Sequence, residues 1–141
     1  MTDLQTVTVK LTSQDIKSLH AKPFLVIPAQ GPDTIIEVLS TSAKFIYGGS
    51  SPFTNPHMLT ANYANIYGPS IVTNLIPSSI INGTFTAYGN GPSDAYNCMS
   101  FIGTQDNQPV VINVNGSSEI TGNLDNDNSI VVTMTYVVHK V

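Results

Sequence analysis

The stretch Ser129 to Val141 alternates apolar and polar positions through most of its length. Ile130, Val132, Met134, Tyr136 and Val138 share one parity, while Thr133, Thr135 and His139 share the other, interrupted by Val131 and Val137. A pleated strand sends alternate side chains to opposite faces, so this pattern predicts a half-buried β-strand. Most of these residues are β-branched or aromatic, which fit a pleated surface better than a helix. A strand of about 12 residues would span roughly 40 Å, the height of a small sandwich.

Other stretches carry the same period. Val7, Val9 and Leu11 alternate with Thr8 and Lys10 in a short amphipathic strand. Phe24 to Ile27 is a continuous apolar run, which fits a strand buried on both faces or a crossing segment. From Thr34 to Tyr47 the apolar parity switches, with Ile36 and Val38 on one face and Ala43, Phe45 and Tyr47 on the other. A switch of that kind predicts a bulge or bend around Leu39 to Ser42. Leu59, Ala61 and Tyr63 make a brief strand. Thr84 to Tyr88 reads as a strand closed by Gly89-Asn90-Gly91-Pro92, and Tyr96 to Ile102 and Val110 to Val114 as two more. Ile71 to Ile81 is apolar but broken at Pro77, and strand and short helix both remain open there.

One helix is predicted, directly after the first strand. Thr12 or Ser13 can cap it, Asp15 puts negative charge in its first turn, and Ile16 shares a face with Leu19 or His20. Pro23 sets its far limit. Short strands parted by turn-rich loops, without long helices for parallel crossovers, predict an all-β chain: a single antiparallel β-sandwich or jelly-roll-like domain over residues 1–141 with one short N-terminal helix.

Composition narrows the function. Charged residues are 10% of the chain, the five basic residues are all lysines, and the formal net charge is -4. Nucleic-acid binders need a clustered basic face, often with arginine, so nucleic acid is not an expected partner. No apolar run approaches the roughly 20 residues of a membrane helix, and no export signal is recognisable; a soluble chain with no membrane partner is expected. The single Cys98 excludes an internal disulfide and reads as a small core side chain in a strand. A surface with so little charge is expected to be covered by a partner in its working state, the alternative being an acidic, Asn/Thr-rich soluble monomer.

No catalytic signature stands out. His20, His57 and His139 fall in a helix end, a loop and the terminal strand, in no metal-binding spacing, so neither metal nor cofactor is expected and the chain reads as a non-enzyme. The run Asp125-Asn126-Asp127-Asn128 superficially resembles a calcium loop but lacks the glycine and closing glutamate of an EF-hand, and reads instead as exposed polarity at a hairpin tip. Tyr63, Tyr67, Tyr88 and Tyr96 gather among Asn and Gly in the middle of the chain. They are candidate partner-binding residues, since tyrosine adds contact area at little entropic cost, or else rings capping the open end of the sandwich. Met1 to Thr6, polar and without a core pattern, is a candidate arm, with Thr2, Asp3 and Leu4 as contacts, or else a frayed terminus.

Three stretches resemble a group of small structural proteins from tailed-phage virions. They are Val9 to Pro23, in the order strand, Leu11-Thr12 cap, Leu19-His20-Ala21 and proline; Val26 to Gly31 with Ile35 to Val38 and Phe45 to Gly48; and the ending from Gly122 into Val132-Thr133-Met134-Thr135-Tyr136. Together they cover the first third and the last sixth of the chain. Gln30 and Pro32-Asp33 depart from a small Gly-Ala-Gly-Lys-type turn, and residues 50–105 carry no resemblance. The likeness implies a β-sandwich cement or decoration protein. Such a protein would form a homotrimer on the outer capsid surface of the virion and bridge major capsid protein subunits. Others of this look occur on head fibres or tails, which leaves a receptor- or glycan-binding knob as the alternative.

Overall fold

The computed structural model describes residues 3–64, 68, 70–92 and 106–140. The first sheet joins β1 (Gln5–Leu11), β10 (Ser129–Lys140), β3 (Thr34–Ile46) and β7 (Ala87–Pro92) in that order. The second joins β2 (Phe24–Ile27), β8 (Val110–Asn115), β5 (Met58–Tyr63) and β6 (Ser70–Ile76). A two-stranded ribbon pairs β4 (Phe53–Thr54) with β9 (Thr121–Gly122). Every pairing is antiparallel. Without the ribbon, the first sheet takes the first, eighth, third and sixth strands and the second takes the second, seventh, fourth and fifth. This is the jelly-roll-like connection of two sheets expected for the chain.

β10 holds the centre of the first sheet and runs the 12 residues its pattern predicts. Its inward residues Ile130, Val132 and Met134 are fully buried and Tyr136 nearly so. They meet Leu59, Ala61, Tyr63, Ile71, Ile112 and Val114 from the second sheet in one core. Burial of each such side chain stabilises the fold by about 1.5–3 kcal/mol. One polar contact also crosses the core: the Tyr63 hydroxyl on β5 donates to the carbonyl of Ile36 on β3.

The parity switch in β3 has its expected cause. Thr135 pairs with Ser40 and Tyr136 with Val38, so Leu39 is the extra residue of a bulge and stands exposed. On either side of it, Ile36 and Val38, then Thr41, Ala43 and Phe45, all point inward and are buried.

The predicted helix, α1 (Ser13–Ile16), is a single turn. The Thr12 hydroxyl accepts from the Asp15 amide at 3.2 Å while the Asp15 carboxylate accepts from the Thr12 amide at 2.9 Å, a reciprocal cap. It ends well ahead of Pro23, but the turns that follow bury Leu19 beside Ile16 as the spacing requires. The open stretch around Pro77 resolves into both alternatives: strand β6 before the proline, then a one-turn helix α2 (Ser78–Ile81) after it.

Three expectations need correction. Leu25 is exposed, so β2 is buried on one face only. β7 begins at Ala87 and takes the glycines into the strand rather than ending on them, because they pair opposite Ala43 and Thr41 at the edge of the sheet. Gln5 and Thr6 are not an arm but pair with Tyr136 and Thr135, leaving Asp3 and Leu4 as the described residues ahead of the sheet. The strand read at Tyr96 to Ile102, with Cys98, lies outside the described residues.

In the tip between β9 and β10, Asp125, Asn126 and Asp127 are exposed as their composition suggests, but two asparagines of the same tip are not. Asn123 and Asn128 are almost wholly buried. The Asn123 side-chain oxygen accepts from the Ser13 hydroxyl at 2.8 Å and from the Asn128 amide at 2.9 Å. Its side-chain nitrogen donates to the Ser51 carbonyl and the Asp127 carboxylate, each at 2.8 Å. All four hydrogen-bonding positions of one amide are thus filled. The positive φ of 44° at Asn123 suits a residue type that tolerates the left-handed region. Asn128 extends the same joint, accepting from the Gly48 amide at 2.8 Å. A Cβ on Gly48 would fall 2.3 Å from the Asp127 carbonyl oxygen, so only glycine fits there.

Replacing Asn123 with alanine leaves the Ser13 hydroxyl and the Asn128 amide without their acceptor, and is expected to cost about 3 kcal/mol. A urea titration with an unchanged slope would measure it. The amide of Asn123 and then the hydroxyl of Ser50 hold the Asp127 carboxyl below the ordinary carboxylate value. A pKa lowered by folding adds stability above the unfolded-state value and loses it as pH falls through the folded one. Melting temperature should therefore fall below about pH 4 less steeply in Asp127→Asn than in the native chain, as scanning calorimetry against pH would record.

Candidate functional site

The outward residues of the first sheet form one face whose order follows from register. Thr6 lies opposite Thr135, which lies opposite Ser40. Thr8, Thr133 and Ser42 make the next row, and the Thr8 and Thr133 hydroxyls are 2.9 Å apart. Lys10, Val131, Lys44 and Tyr88 make the third. Residues directly opposite in an antiparallel pair share a face, so six hydroxyl side chains on three adjacent strands stand together with no ionised group among them. Lysines bound this field at one end. At the other, His139 and Glu37 pair at 2.7 Å, both well exposed.

Tyr88 is the predicted tyrosine that this face presents. It is 83% exposed, on edge strand β7 opposite Lys44. Behind the same edge, where β7 and β6 leave the sandwich open, lies an apolar cleft of about 370 Å³ floored by Phe45, Val72, Ile76 and Ile80. Phe85, just before β7, is 59% exposed. A side of the molecule that combines a neutral hydroxyl field with exposed rings suits contact with another surface.

The remaining site residues do not gather there. Tyr63 is fully buried, its ring in the core and its hydroxyl spent on Ile36, so it holds the two sheets together and offers nothing to a partner. Its place at the end of the Leu59, Ala61, Tyr63 alternation was the signal for this. Asp3 and Leu4 are exposed, Leu4 at 67%. Thr2, Tyr67 and Tyr96 lie outside the described residues.

The pattern gave no hint of a hydrogen-bonded patch on the loops around β9. His57 Nε2 is 3.1 Å from Ser118 Oγ, and Asn55 donates to the same hydroxyl at 3.0 Å. A histidine beside a serine is a nucleophilic pairing only when a third group orients the ring. Here the neighbouring Glu119 is committed elsewhere, its carboxylate oxygens accepting from the amides of His20 at 2.6 Å and Ala21 at 3.0 Å. The arrangement fastens three loops to one another. Among the described residues no group of His, Cys, Asp and Glu is placed to hold a metal ion, and no helix is long and apolar enough to cross a membrane.

No protein-family model matches the chain, and no curated protein matches it either.

The two tyrosines should separate cleanly on substitution. Tyr63→Phe removes the hydrogen bond between the sheets and is expected to cost about 1–2 kcal/mol in denaturant unfolding. Tyr88→Ser, at an exposed edge position, should stay within about 0.5 kcal/mol of the native chain.

Proposed function

We propose that the chain is a non-enzymatic structural protein of a phage virion, a cement or decoration protein on the outer capsid surface. It would associate as trimers and stabilise the shell by bridging major capsid protein subunits. The observation that carries the reading is the neutral hydroxyl face of the first sheet, with the exposed Tyr88 at its border. Burying hydroxyls against a neighbour costs far less than burying ionised groups, and each hydroxyl can donate or accept as the neighbour requires. The charged content of 10% fits the same use. The resemblance of the first third and the last sixth of the chain to tailed-phage structural proteins supports it independently.

The mechanism is adhesive. A protein that binds assembled shell and not loose subunits shifts the equilibrium toward the shell by mass action. A standard interface is about 800 Å² per partner, and closed symmetry repeats each contact around a ring. Asp3 and Leu4, exposed ahead of the sheet, are available to reach a neighbour. The exposed ring of Tyr88 beside hydroxyl groups favours a second reading, a receptor- or glycan-binding knob on a fibre or tail, since aromatic faces stack on sugars.

Purified chain added to capsids that lack it should saturate at hundreds of copies per particle and raise the temperature at which the shells rupture. No binding to shells, together with a positive glycan array, would reverse the order of the two readings.

A further inference from the structure

A sandwich of two open sheets has four edge strands, and three of them here carry the features that discourage pairing with another chain. β2 has four residues and a register break between Leu25 and Ile27. The pairing of β6 with β5 is broken twice, and Pro77 follows directly. β7 contains Gly89, Gly91 and Pro92. β1 differs. All seven of its residues pair with β10 in unbroken register, without proline, glycine or bulge. Among the described residues its backbone makes no hydrogen bond beyond that sheet. Val7 and Val9, on its inner face, are only half-buried although they pack on the core.

We infer that the free edge of β1 is where a second copy of this chain docks, β1 against β1 and antiparallel about a two-fold axis. The strand is complementary to itself. The register that pairs all seven residues is centred on Thr8, which then faces Thr8 of the other copy. Val7 falls opposite Val9, so the half-buried valines of each copy cover those of the other. Lys10 falls opposite Thr6, and no like charges meet. The two first sheets become one sheet of eight strands, and the neutral hydroxyl face doubles in width. The contact is two-fold, so it is separate from any three-fold ring and can join one ring to the next. It rests on the geometry of the edge and not on the shell reading.

The test is sedimentation of the purified chain across a concentration series, with two charge variants at the proposed axis. Native chain should associate reversibly by doubling, monomer to dimer or trimer to hexamer. Thr8→Lys and Thr8→Glu, each alone, put like charges directly opposite one another and should weaken association at least about tenfold. Both variants keep an exposed side chain on an outer face, and their melting temperatures serve as the check on folding. Mixing the two should restore association, because lysine then faces glutamate. Native chain that stays monomeric throughout, a variant that associates as tightly as native, or a mixture that does not recover would each overturn the inference. A dimer that binds no capsid would uphold it and end the shell reading instead.

Discussion

Hydrogen bonding on both sides of β10 is the constraint from which the remaining architecture follows. Twelve residues of this strand pair with β3 and seven of them with β1. Side chains alternate strictly along a strand, so a slip of one residue would carry Ile130, Val132 and Met134 to the solvent side and bring threonines into the core. The cost of that exchange fixes the register of three strands at once. Only the bulge at Leu39 relaxes the alternation, and it does so on β3, leaving β10 regular.

Packing of apolar faces does not by itself close the ends of such a sandwich. At one end this chain uses amides. Asn123 and Asn128 fill the space where α1, the turn before β4 and the tip before β10 converge, and every buried polar atom of the Asn123 side chain is paired. Apolar side chains there would leave the Ser51 carbonyl and the Gly48 amide without partners. Elsewhere the same device recurs with a carboxylate, where Glu119 takes up two backbone amides that follow α1. Asparagine-rich composition, which looks like surface, is in part the material of these joints.

Much of the fold was legible because its core obeys a period of two. The alternations in β1, β5 and β10, and the change of parity that places the bulge in β3, could be read directly from apolar positions. What escaped reading depends on partners distant in the chain. Leu25 is exposed because β2 lies at an edge, a fact of strand order that its run of four apolar residues does not contain. The glycines around β7 look like a turn until β3 is there to pair with them. The burial of Asn123 depends on Ser13, which is 110 residues away. The candidate face was half legible: its threonines and serines sit at alternate positions on three strands, but nothing in the one-dimensional pattern aligns those strands side by side. Of the four candidate tyrosines, Tyr63 belonged to the core by its own alternation, and Tyr88 became a surface residue only once β7 took its place at the margin.

The hydroxyl of Tyr63, donating to the backbone of Ile36 across the interior, has a mechanical consequence. Apolar contact is non-directional, so small gliding of one leaf over the other is opposed by the interlocking of side chains and not by direction. A directional bond between them does not tolerate such gliding. Load applied along one leaf is passed to the other in part through this pin, which adds resistance to shear at its own point in the interior.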